Sequence, residues 1–264
     1  MLQGYVIRSP AVAGMFYPDD RRELTEMVRG FLSGPALVSS APKALIAPHA
    51  GFLYSGPIAG SAFAQLQNVR DSITHVVLAG PSHRVGFPGI ALSSAGAFHT
   101  PLGDVPVDAD GVASIADLPG VTLLDIAHAQ EHSLETHLPF LQLALKKFSI
   151  VPLVVGDATP SSIAQVFETL WGGPETLIVV SSDLSHYHTY QQAQRMDDET
   201  SHAIEELDDE GIDAQHACGW LPVRGLILAA RNHGLKACAL DQRNSGDTAG
   251  PRDQVVGYGA YAFA

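Results

Sequence analysis

The chain has 264 residues, of which 46% are hydrophobic and only 16% charged, a balance that allows a sizeable core and lies far from the disordered class. Fifteen Lys and Arg against 28 Asp and Glu leave a formal charge of −13. Such a surface repels phosphate backbones and anionic lipid, excludes nucleic acid and membrane surfaces as natural partners, and leaves a small molecule, a metal ion or another protein.

No break in composition divides the chain, so residues 1–264 read as one domain, with neither a bilayer-spanning apolar run nor a signal peptide. A soluble, cytoplasmic protein is expected, with the two cysteines, Cys218 and Cys238, reduced. In chain order the periodicity predicts a helix over Asp20–Leu32, a loop over Ser33–Pro42 and a strand over Lys43–Ala47. A helix over Pro57–Gln67 and strands over His75–Ala79 and Gly89–Ser93 follow. Next come a helix over Ala109–Leu118, a strand over Val121–Asp125, a helix over His132–Lys146 and a strand over Ile150–Val155. The remainder reads as helix Pro160–Trp171, strand Thr176–Ser181, helices Tyr187–Glu206 and Gly219–Asn232, and strands Lys236–Leu240 and Gln254–Ala262. Short β-branched runs alternating with helical segments predict an α/β fold, a mostly parallel sheet covered by helices on both faces. The acidic run from Asp197 to Glu210 reads as a solvated helix face and its exit.

Ligands in open α/β sheets bind beyond the carboxyl ends of the strands, where loops converge and helix N-termini point. Three of the twelve histidines stand just past such ends: His49 after Pro48, His83 after Gly80 and Pro81, and His186 in the polar cluster that begins at Ser181 and includes Asp183. Histidines gathered at one sheet edge form a candidate metal or general-base site, while each one alone can equally be a strand-end imidazole held by backbone groups.

A fourth cluster runs from His128 through Glu131, His132 and Glu135 to His137. On a helix starting near His132, Glu131 and Glu135 share a face, and Glu135 is placed to orient His132. Alternatively these acids simply answer the dipole of a helix N-terminus. Cys218 precedes an apolar helix, where the dipole favours a thiolate fit for metal ligation or nucleophilic work; a small packed residue is the other reading. Cys238 reads as a buried small hydrophobe. The spacing is not that of a zincin, and neither a nucleophile elbow nor a P-loop is present in the sequence.

Eight ordered motifs carry a resemblance: PAVAGMFYP at 10–18, APHAGFLYSG at 47–56, GPSH at 80–83, EHSLE at 131–135, LPFL at 138–141, SSDLSHY at 181–187, ACG at 217–219 and SGD at 245–247. Together they resemble the Memo family, whose bacterial and archaeal members are called AmmeMemoRadiSam system protein B. The resemblance implies a three-layer α/β/α fold similar to that of class III, LigB-type extradiol dioxygenases. It also implies a metal site of His49, His83 and Cys218, with Asp183 and His186 beside it as proton-moving residues and with Tyr54, His132 and Glu135 lining the ligand pocket. The implied metal is Fe(II), with zinc or copper as alternatives, because a thiolate in place of the dioxygenases' carboxylate softens the site. The implied activity is a non-haem metal-dependent oxidoreductase, and the alternative is a metal- or peptide-binding adaptor. The family name further implies functional association with radical-SAM and AMMECR-type proteins.

Overall fold

The computed structural model describes residues 6–38 and 40–264, so Ser39 of the expected Ser33–Pro42 loop, and the first five residues of the expected domain, lie outside the described residues. In chain order the elements are β1 (Ile7–Arg8), α1 (Arg21–Phe31), β2 (Ala44–Ala47), α2 (Phe52–Phe63), β3 (His75–Pro81), β4 (Ile90–Leu92), β5 (Ala97–Thr100) and β6 (Gly103–Pro106). They continue with α3 (Ala109–Ile115), β7 (Val121–Leu123), α4 (Asp125–Ala129), α5 (Leu138–Ala144), β8 (Ser149–Val155), α6 (Pro160–Thr169), β9 (Thr176–Ser181) and β10 (His186–His188). The last are α7 (Tyr190–Glu205), α8 (Trp220–Asn232), β11 (Ala237–Asn244), α9 (Ser245–Thr248) and β12 (Val255–Phe263).

Nine strands form the main sheet in the order β10-β12-β2-β9-β3-β8-β4-β7, with β11 also paired to β12. Its centre, β2-β9-β3-β8, is parallel, and β12 closes antiparallel on β2. The central strands are apolar on both faces, so side-chain alternation divides the core in two. Leu45, Ala47, Val76, Leu78, Leu177 and Val179 face α1, α2 and α5, whereas Ala44, Ile46, Val77, Ala79, Ile178 and Val180 face α6, α7 and α8. The result is the expected three-layer α/β/α architecture. A small three-stranded sheet, β1-β5-β6, stands beside it. No helix among the described residues is long and apolar enough to cross a membrane.

Several boundaries moved for local reasons. The helix expected to begin at Pro57 begins at Phe52 and carries Pro57 inside it. It gives up one backbone bond there, yet Gly56 and Gly60 let it close onto α1: a Cβ at Gly60 would lie 2.5 Å from the Phe31 carbonyl oxygen. The helix expected from His132 is instead a turn, a 3₁₀ segment over Glu135–His137 and then α5, which begins beside Pro139. Likewise, Tyr187 does not open a helix. It lies in β10, whose pairing to β12 shifts register between His186 and His188.

Candidate metal centre

Because β2, β9 and β3 are parallel neighbours, their carboxyl ends lie side by side, and the turn beyond each supplies one polar residue: His49, Asp183 and His83. His49 is buried, its backbone N–H donates to Asp183 Oδ1 at 2.8 Å, and its Nδ1 meets Ser181 Oγ at 2.6 Å. His83 leans on Glu131, which accepts from the His83 backbone N–H at 2.6 Å and from its Nδ1 at 2.9 Å. The same carboxylate accepts from the backbone N–H groups of His132 and Ser133 at 2.9 Å. Burial alone would raise the Glu131 pKa, but the His83 ring and the backbone donors outweigh it and hold it at about 2. An ionised carboxylate can only accept, so His83 Nδ1 carries a proton and Nε2 is the ring nitrogen left to meet a metal.

His132 completes the group. Donor atoms of His49, His83 and His132 all lie within 4.8 Å of one another. The His83 and His132 rings stack at 4.6 Å, and His49 meets them edge-on at 5.0 and 5.5 Å. Burial lowers the His132 pKa to about 4; burial first, then the charges of its histidine neighbours, drives that of His49 well below the ordinary value. At neutral pH both rings are therefore uncharged, the form that ligates a metal.

Cys218, in the turn before α8, places Sγ 3.4 Å from His49 Nε2 and accepts the Asp183 backbone N–H at 3.3 Å. Gly219 makes this approach feasible, since a Cβ there would lie 2.5 Å from the Ser181 carbonyl oxygen. Of the two readings the sequence leaves open for Cys218, the packed residue fits its metal-free surroundings better than the dipole-stabilised thiolate. Burial, and then the Asp183 carboxylate, push the thiol's pKa well above its ordinary value, so ligation would release a proton. The donor set fits a metal. Roughly 2.3 Å to sulfur and about 2.0 Å to nitrogen around a tetrahedral ion separate the two ligands by about 3.5 Å, close to the distance seen. The ligand set implied by the family resemblance is thus widened: His132, expected in the ligand pocket, joins the tight cluster, and Cys218 stands at its edge.

These groups form the floor of an open cavity of about 560 Å³, which His186, Tyr187 and His188 also line. Three consecutive residues cannot face one side of a regular strand; the register shift in β10 lets them do so. Tyr187 has φ = 61° and is 71% exposed, so its ring stands at the rim on a left-handed backbone. Tyr187→Gly is expected to stabilise the fold by about 1 kcal/mol while weakening binding of aromatic ligands, measured by denaturant unfolding alongside ligand titration. His186 donates from Nδ1 to the Leu184 carbonyl at 2.8 Å, which leaves Nε2 outside that bond in a ring that lines the cavity. It is this carbonyl that orients the ring. Asp183 is occupied with the His49 backbone, and burial raises its pKa.

Two residues expected at the ligand pocket lie elsewhere. Tyr54, in the first turn of α2, is exposed and is not among the residues lining the cavity, and Phe52, two residues before it, is core. Glu135 is fully buried away from the cavity, where its carboxylate accepts from Arg8, Tyr17 and the backbone of Ala11 and Val12. It ties down the first described segment of the chain. The orienting role that the helical spacing predicts for Glu135 belongs to Glu131, which performs it for His83.

Asp197 on α7, expected on a solvated face, is buried and accepts the Ser185 backbone N–H at 3.0 Å, anchoring the strap that carries Asp183 and His186. Burial first, and then the Asp198 charge, raise its pKa from 3.8 to about 6. Its proton is therefore held more tightly in the folded state; the stability it contributes is complete below about pH 4 and is lost as pH rises through 6. Asp197→Asn should remove that loss, gaining roughly 3 kcal/mol on the wild type between pH 4 and pH 8 in denaturant titrations. Parallel pH profiles for the two proteins would contradict this.

The Memo-like protein family model matches residues 8–262. A MEMO1 family protein of Aeropyrum pernix is 37% identical, covering 96% of this chain and 98% of its own length. One from Aquifex aeolicus is 36% identical over 96% and 97%. One from Methanothermobacter thermautotrophicus is 35% identical over 96% and 99%. With a family model spanning nearly the whole chain and relatives above 30% identity along their full length, this chain belongs to the Memo family.

Proposed function

We propose that this protein is a non-haem metal-dependent oxidoreductase. It holds one redox metal, by preference Fe(II), on His49, His83 and His132 with Cys218 beside them, and acts on a small molecule or short peptide entering the cavity. The observation that carries this reading is the position of the three imidazoles at the floor of an open cavity that also contains a non-ligating His186. A purely structural metal site is closed by its ligands, whereas this one faces the space a substrate needs. When bound, the metal supplies Lewis acidity and, as iron or copper, one-electron chemistry.

The chain's own residues supply the rest. Glu131 keeps His83 in the ligating tautomer, His186 Nε2 accepts a proton from a bound ligand, and Tyr187 offers an aromatic wall at the entrance. Cys218 tunes the metal through a soft donor, which keeps copper and zinc as alternatives to iron. Association with radical-SAM and AMMECR-type proteins belongs to the same proposal and rests on the family resemblance alone.

The test is to load the protein anaerobically with Fe(II) or Zn(II), count metal per chain, and follow oxygen uptake with a reductant present. One metal per chain in both forms, with uptake confined to the iron form and lost in His186→Ala, supports the oxidoreductase. One metal per chain with both forms equally inert would overturn it in favour of the adaptor reading.

A further inference from the structure

The Ser181 hydroxyl, at the carboxyl end of β9, meets three buried polar groups. The Ser133 carbonyl oxygen lies at 2.5 Å, His49 Nδ1 at 2.6 Å and His137 Nε2 at 2.8 Å. A hydroxyl has one proton and two lone pairs, and a carbonyl only accepts. The Ser181 proton therefore goes to Ser133, and both imidazoles must donate to Ser181. His137 is fully buried, and among the described residues no other hydrogen bond reaches its ring and its Nδ1 has no partner. Burial brings its pKa to about 3, so the ring is neutral and carries a single N–H. Placing that proton on Nε2 leaves a bare acceptor at Nδ1, which costs less than burying an orphaned N–H.

From this hydrogen-bond count we infer that His137 and Ser181 act as a relay that locks His49 into its Nδ1–H tautomer, with the Nε2 lone pair facing Cys218 and the other two histidines. His137 is thus a positioning residue for a centre it does not touch. The Ser133 carbonyl draws the Ser181 proton, and the His137 N–H fills the hydroxyl's second lone pair. Without that N–H the Ser133 carbonyl alone keeps Ser181 from turning to donate to His49 Nδ1, which would move the His49 proton to Nε2 and close the ligating face. The purpose of the relay rests on the metal-centre reading, but the tautomer itself exists in metal-free protein. The competing role for His137 is core filling against Phe63, whose ring lies 5.7 Å away.

Histidine ¹⁵N spectra of the metal-free protein and Zn(II) competition titrations decide it, using Ser181→Ala, His137→Met and His137→Gln. Gln keeps an N–H at the reach of Nε2, and Met matches its length without one. The wild type should show His49 protonated on Nδ1, and His137→Gln should keep both the tautomer and most of the zinc affinity. Ser181→Ala and His137→Met should give mixed tautomers and lose about 10- to 100-fold in affinity. An unchanged tautomer in Ser181→Ala overturns the relay even if His137→Met fails to fold. Equal losses in Gln and Met assign His137 to packing alone. A wild type locked at Nδ1–H that takes up no zinc keeps the relay and refutes the metal centre.

Discussion

Replacing His83 with alanine is expected to abolish metal binding, dropping stoichiometry from one per chain to none at micromolar metal. Groups that merely orient a ligand are worth about 10- to 100-fold in affinity, so loss of a ligand itself should exceed about 100-fold. The fold should survive, because the His83 side chain is 28% exposed and Glu131 keeps the backbone donors of His83, His132 and Ser133. Glu131→Gln should fall between the wild type and His83→Ala: its amide retains one acceptor but no longer demands a donor at both oxygens. Metal content after gel filtration and competition with a chelator measure both. Undiminished metal in a folded His83→Ala protein would refute the imidazole cluster as the binding site.

Glu135→Ala is expected to cost about 3–5 kcal/mol, the largest stability loss from any single site considered, because it strips a buried ion pair of its anion. The Arg8 guanidinium, the Tyr17 hydroxyl and the backbone N–H groups of Ala11 and Val12 would all lose their acceptor at once. Denaturant unfolding gives the magnitude. The contrasting expectation, a residue contacting ligand, predicts near-normal stability and weakened ligand binding. A loss under about 1 kcal/mol would therefore refute the structural role.

What could be read from sequence, and what could not, follows from the range of the interactions involved. Parallel strands announce themselves as short apolar runs, and the rule that ligands gather at their carboxyl ends located His49, His83 and Asp183 without any pairing being known. The cavity position of His186 was legible on the same grounds. His132 follows no strand, so nothing local places it against His83; that contact is made by the Glu131 turn. The helical spacing argument for Glu135 failed because the chain turns at His132 and becomes helical only later. Cys218 offered only its helix-end position, since its approach to His49 joins residues 169 apart in sequence. The outward turn of Tyr187 depends on the register shift against β12, which no single segment encodes.

The placement of β12 also dictates when the cavity wall of His186, Tyr187 and His188 can form. Among the described residues, strand β10, just beyond Asp183, pairs only with β12, and β12 lies between it and β2, whose end presents His49. About 200 residues separate Ala47 from Val255, which at ribosomal speed is roughly 10–40 s of synthesis. Throughout that interval His49, His83 and then His132 emerge while the sheet still lacks β12. On the metal-centre reading, the complete donor set with its cavity wall is therefore a property of the finished chain.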